Sequence, residues 1–123
     1  MQIEVCKSKI HKVSVTEANL QYVLNNFQTC FGRPYKVVRI PMPPDASHQY
    51  PPSGDYRTYT NSMIINKTII IPTYEYQYDT TAFRIYREAM PGYNIVGINS
   101  NAIIPSLGAI HCIVKEVGVS DPV

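Results

Sequence analysis

Ser62-Met63-Ile64-Ile65-Asn66-Lys67-Thr68-Ile69-Ile70-Ile71 is the stretch on which the fold turns. Two apolar, β-branched runs flank Asn66-Lys67, and Asn tolerates the left-handed backbone that a two-residue hairpin demands. Pro72 is expected to stop the second strand, since it has no amide for a ladder. Asn66-Lys67-Thr68 also fits a glycosylation sequon, but without a secretion signal it is expected to be only a turn. Downstream, Ala82, Phe83, Tyr86, Ala89 and Met90 recur at helical spacing, with Arg84, Arg87 and Glu88 on the other face. That pattern predicts a helix over 80–90. Asp79 stands where its N-cap belongs, a catalytic acid being the sharper alternative. Pro91-Gly92 closes the helix, and residues 94–98 return as a strand. Hairpin, helix and strand make a ββαβ unit. One such unit cannot cover both faces of its own sheet, so it is typical of rings built from repeats. The chain holds no second copy.

Outward from this unit the elements shorten. Residues 99–101 turn, 102–105 make a short buried element, and 110–114 read as a last strand that carries Cys112. A cysteine in an apolar run is most often a small buried hydrophobe. On the other side, residues 35–40 form a strand closed by Pro41. Residues 45–55, with His48, Pro51-Pro52 and Gly54, form a long loop that either lines a site or is a solvated connector. Residues 23–27 read as the end of a helix, and Gly32-Arg33-Pro34 punctuates the chain after it. At the start, Ile3 and Val5, then Ile10, Val13 and Val15, alternate with polar residues as two short strands. Residues 16–20 look like a turn or one helical turn, because 17–22 carry too few apolar positions for a full helix.

Composition bounds the rest. In 123 residues, 45% hydrophobic and 16% charged, one modest globular domain fits. A net charge of +2 with scattered Lys and Arg excludes a nucleic-acid binder of the basic-patch kind. Cys6, Cys30 and Cys112 are too few and odd in number for a disulfide framework. Glu4, Lys7 and Lys9 interrupt any signal-peptide core, and no run approaches a membrane span, so a cytoplasmic location is expected.

Two resemblances sharpen this reading. Asp55-Tyr56-Arg57-Thr58-Tyr59-Thr60-Asn61, read with Leu107-Gly108-Ala109-Ile110-His111-Cys112-Ile113, resembles the C-terminal part of the bacterial-type peptidylarginine deiminase and agmatine deiminase family. The resemblance covers about residues 25–117. It implies a partial pentein, the five-unit α/β propeller, with about one ββαβ unit plus flanking strands after a β-rich N-terminal segment. It implies Cys112 as the catalytic nucleophile, Asn61 as a supporting polar residue, and Gly108 as the small residue that lets backbone approach the site. Leu107-Gly108-Ala109-Ile110 leans toward the peptidylarginine-type branch. Separately, residues 7–22 are similar to the opening of pyruvoyl-dependent aspartate 1-decarboxylases, with Lys9 matching a substrate-binding lysine and Tyr22 a residue near the processing site. That family next needs a Gly-Ser pair, whereas Tyr22 is followed by Val23-Leu24-Asn25. Without the serine-derived pyruvoyl there is no electron sink, and decarboxylation is not expected. The expected organisation is a decarboxylase-like segment over 1–24 and the C-terminal part of a guanidino-group deiminase over 25–123.

The chemistry implied is demanding. A guanidinium carbon is a poor electrophile, so its hydrolysis to a ureido group and ammonia needs a thiolate, carboxylates on the N–H groups and an acid for the departing ammonia. The thiolate would form a thiouronium intermediate, with no cofactor or metal. His111, next to Cys112 on a strand, would point to the opposite face and pack rather than activate it. His48 sits in the long loop and His11 in the segment set apart. The family's His-X-Asp pair is absent from this sequence. The expectation is thus a nucleophile without its partners, inactive alone, for agmatine or peptidyl-arginine as substrate. The alternative is a non-catalytic chimeric or truncated product, and a binding module has no positive support. Exposed sheet edges are expected to favour self-association. Neither nucleic acid nor membrane is an expected partner.

Overall fold

A computed structural model describes residues 2–6 and 14–118. The hairpin and helix read from the sequence are present. Strand β3 (Met63–Ile65) and strand β4 (Thr68–Thr73) pair antiparallel, Met63 opposite Ile70. The turn between them has φ +46° at Asn66 and +57° at Lys67, the two left-handed residues of a type I′ hairpin. Helix α2 (Tyr76–Ala89) follows, and strand β5 (Asn94–Asn99) then pairs parallel with β4 from Thr68–Asn94 to Thr73–Asn99. The sheet order is β3-β4-β5. Pro72 does not end the strand as expected; it lies within β4, opposite Ile98. Beyond Ile70 β4 has no β3 residue beside it, so the missing amide breaks no antiparallel pair.

Ile69 and Ile71 of the central strand are wholly buried beneath Ala82 and Tyr86 of α2, and Ile40, Tyr59, Tyr74, Ile104 and Ala109 complete the cluster. Gly97 lets the helix sit close: a Cβ there would lie 2.8 Å from the Phe83 ring. Gly92, at φ +85°, turns the chain out of the helix. The α/β class and the single ββαβ unit therefore stand as expected.

Two flanks differ. Strand β1 (Gln2–Cys6) pairs parallel with β2 (Val37–Pro41), so the first expected strand exists and is tied across the 24/25 boundary. Residues 16–20 are neither a turn nor one isolated helical turn: they belong to helix α1, a full helix over Ser14–Asn26 that runs through that boundary. It needs no wide apolar stripe, because Leu20 is its buried anchor and the Glu17 carboxylate accepts two hydrogen bonds from Arg39 of β2, both 3.0 Å. Glu, Ala, Leu and Gln supply helix propensity, and Glu17 in the first turn suits the helix dipole. Val15 thus belongs to a helix, and the rest of the second expected strand, at Ile10 and Val13, lies outside the described residues. At the other end, residues 110–114 are not a strand. After a 3-10 turn (Ile104–Ser106) and Leu107 at φ +65°, a single helical turn α3 (Ile110–Ile113) carries Cys112.

Candidate active site

Residues 57–62 lead from the long loop through a turn at Tyr59-Thr60 and a bend at Asn61 to β3, and α2 with the residues just before it holds them by side-chain hydrogen bonds. Arg57, 5% exposed, donates from Nη1 to the Glu75 carboxylate at 2.6 Å and to the Pro44 carbonyl at 3.0 Å. The Tyr74 hydroxyl donates to the Thr58 carbonyl, and the Tyr59 hydroxyl to Asp79 at 2.8 Å. The buried Tyr86 hydroxyl donates to the Tyr59 carbonyl and lies 3.0 Å from Ser62 Oγ. Burial is the main reason all three phenols ionise less readily than usual. Asp79 is not an N-cap: the helix starts at Tyr76 after Glu75, whose side chain makes no cap hydrogen bond. Asp79 instead reaches back to the Tyr74 amide, 3.0 Å, while accepting from Tyr59. Its carboxylate fastens the strand end to the helix and is not among the hydrogen-bond partners of Cys112.

The held segment ends in Asn61, which meets α3 at three points. Its carbonyl accepts the His111 amide at 3.3 Å, its Oδ1 accepts the Cys112 amide at 3.3 Å, and its Nδ2 donates to Cys112 Sγ at 2.9 Å. The structure thus brings together Asn61 and Cys112, 51 residues apart in the chain. Cys112 is exposed, not a packed hydrophobe. The Asn61 amide, then a backbone hydrogen bond from Ala109, hold its thiol below the usual range, because both stabilise the thiolate. Gly108 is packed against it: a Cβ there would stand 2.9 Å from Cys112 Cβ and 3.2 Å from Sγ.

Neither described imidazole, His48 or His111, is hydrogen-bonded to Cys112. His111 is exposed on α3; its neighbour relation to Cys112 is helical rather than the alternation of a strand. His48, at φ +59° in the loop, is felt at Glu75, whose carboxyl is lowered chiefly by Arg57 and slightly by His48. Among the described residues, the hydrogen-bond partners of Cys112 are Asn61 and Ala109, with no carboxylate or imidazole. A cleft of about 460 Å³ is lined by Asp79, Phe83 and Arg87 of α2 with Thr73 and Gly97 of the sheet, and it takes in neither Asn61 nor Cys112. No group of three or more His, Cys, Asp or Glu side chains fit to hold a metal occurs among the described residues. Nor, among them, is any helix long and apolar enough to cross a membrane. Sequence reasoning missed Tyr86 and Ala109. Helical spacing marked Tyr86 only as core, and nothing in the local pattern marked the Ala109 amide.

The sequence profile of the Porphyromonas-type peptidyl-arginine deiminase family matches residues 3–117. A protein of Vibrio parahaemolyticus provisionally named an agmatine deiminase is 29% identical over 112 residues, spanning 79% of this chain and 31% of that protein. A crystal structure provisionally described as a peptidyl-arginine deiminase superposes with TM-score 0.73 at 22% identity, over 96% of this chain and 35% of that one. A cysteine-to-serine variant of C. jejuni agmatine deiminase with substrate bound superposes with TM-score 0.62 at 19% identity, over 88% and 30%. These likenesses show the fold, a part of the pentein-type propeller. The chain spans about a third of the length of these relatives. The profile starts at residue 3 and so runs through the segment 1–24, whose decarboxylase likeness gains nothing from these comparisons.

Proposed function

The chain belongs to the Porphyromonas-type peptidyl-arginine deiminase family, and from that premise we propose that it carries the nucleophile of a guanidino-group deiminase, Cys112. The single observation that carries this reading is the Asn61 amide donating to an exposed Cys112 sulfur at 2.9 Å. A thiolate so stabilised adds to the guanidinium carbon of agmatine or a peptidyl-arginine. Ammonia leaves with a proton, a thiouronium remains on the sulfur, and water displaces it as the ureido product. The substrate-bound cysteine variant among the structural neighbours is in keeping with a cysteine at the centre of such chemistry. β1, paired with β2, and the match from residue 3 favour counting the first 24 residues with the deiminase part rather than as a separate piece.

Acid–base help is commonly worth about 100- to 10,000-fold, and the described residues place no acid or base on Cys112. The 123-residue chain by itself is therefore expected to bind its thiol chemistry to small electrophiles and to turn over slowly or not at all. Iodoacetamide labelling at pH 7, followed by mass spectrometry, should modify Cys112 several-fold faster than Cys30, which is also exposed. Equal rates at the two sites would remove Cys112 from the role. Ammonia release from agmatine or an arginine peptide, lost in Cys112→Ala, would keep the reaction and overturn the expected inactivity.

A further inference from the structure

We infer that Tyr86 is a positioning residue for the Asn61–Cys112 pair: its hydroxyl brackets the two residues between Tyr59 and Ser62, and so fixes where Asn61 meets the sulfur. The inference rests on the nucleophile reading above. Tyr86 is wholly buried near the C-terminal end of α2, its ring held in the core, so its oxygen is a fixed point. A phenol has one proton to give. It goes to the Tyr59 carbonyl at 3.0 Å, which leaves Ser62 Oγ to donate to Tyr86 at 3.0 Å. These two bonds seize the chain on either side of Thr60 and Asn61. Packing alone would be served as well by phenylalanine; a buried hydroxyl is tolerated only with partners, and here both partners flank Asn61. Burial also keeps the phenol protonated through the range in which a thiol titrates, so the bracket holds whether Cys112 is thiol or thiolate.

The consequence runs through distance. Asn61 spans 51 residues to reach Cys112, and its Nδ2–Sγ contact of 2.9 Å depends on its backbone staying in place, since the same residue also accepts the amides of His111 and Cys112. With the bracket open, Asn61 drifts and the thiolate loses its first donor. The test is the pH profile of Cys112 alkylation in the full chain, read by mass spectrometry with Cys30 as the internal reference. Tyr86→Phe should move the Cys112 profile to higher pH and slow its labelling at pH 7 about fivefold, the effect of one hydrogen bond, while Cys30 is unchanged. Ser62→Ala, which spares the core, should move it the same way by less. A folded Tyr86→Phe, or Ser62→Ala where Tyr86→Phe fails to fold, with the Cys112 profile unmoved overturns the bracket. Asn61→Ala separates the two readings. If it shifts the profile and Tyr86→Phe does not, only the bracket falls; if neither shifts it, the Asn61–Cys112 pairing falls with it.

Discussion

Asn61 uses both ends of its amide on Cys112, Oδ1 for the backbone and Nδ2 for the sulfur, which makes the orientation of that amide unambiguous. A donor on the sulfur lowers its pKa, so at any pH below the ordinary thiol value of 9.0 the thiolate fraction is raised. The sign gives a charge test. Asn61→Asp keeps the shape, removes the donor and sets a carboxylate beside the sulfur, so labelling of Cys112 at pH 7 should fall at least about tenfold. Faster labelling in that variant would reverse the assigned electrostatics. Gly108→Ala tests the approach of the backbone: its Cβ would stand 2.9 Å from Cys112 Cβ, so the turn must shift. The expected outcome is several-fold slower labelling with little change in melting temperature, because Cys112 is exposed and adds little to the core. Both residues were legible only through the family motifs. The secondary structure around the thiol was misread for a physical reason: four residues, Ile110–Ile113, are too short a window for periodicity to separate a strand from one helical turn.

Helix α2 and the hairpin were the legible elements. Asn66-Lys67 must be left-handed twice and is, and the faces of α2 followed from Ala82, Phe83 and Tyr86. The start of α2 was not legible, because Tyr76, Gln77 and Tyr78 carry no cap signal and Asp79, the residue that looks like one, serves Tyr74 and Tyr59 from inside the helix. Helix α1 was missed because, among its described side chains (16–26), Leu20 alone is buried, which leaves no stripe to count. The three phenols gathered around α2 make an alkaline prediction. Each has its pKa raised above the ordinary 10.0, mainly by burial. Folding then favours the neutral form, so their contribution is complete below pH 10 and is lost as pH rises through the higher folded values. Urea midpoints measured from pH 8 to 11 should be level up to about pH 10 and fall above it. A flat curve to pH 11 would mean that the phenols ionise without unfolding. Ile69→Ala, at the wholly buried centre of β4, should cost about 2–5 kcal/mol in the same urea titration at pH 7. A loss under about 1 kcal/mol would place β4 outside the cooperative core.

At the scale of the molecule, the sheet has one face under α2 and one face that the chain only partly covers. Cross-strand partners share a face, so Met63, Ile70 and Val96 lie together, as do Pro72 and Ile98, opposite the side on which Gly97 meets Phe83. Met63 and Pro72 are buried there, while Ile65, Val96 and Ile98 are exposed. β-Branched residues on both faces are the pattern of a sheet covered twice, and β3 and β5 are both edges of this three-stranded sheet. That much was readable from the isoleucine runs; which strand would lie outermost was not, because it depends on the parallel return of β5. Since the chain spans about a third of its relatives, the purified 123-residue protein is expected to cover this face with a second copy. Sedimentation velocity across a hundredfold range of concentration should show a rising average mass. Val96→Lys with Ile98→Lys sets two charges on the outer face of the β5 edge without touching α2. It should return the protein to a monomer with an unchanged circular dichroism spectrum. A wild-type chain that sediments as a monomer at every concentration would mean that this face is stable in water, and the unit would then be more self-sufficient than its two-sided apolar pattern implies.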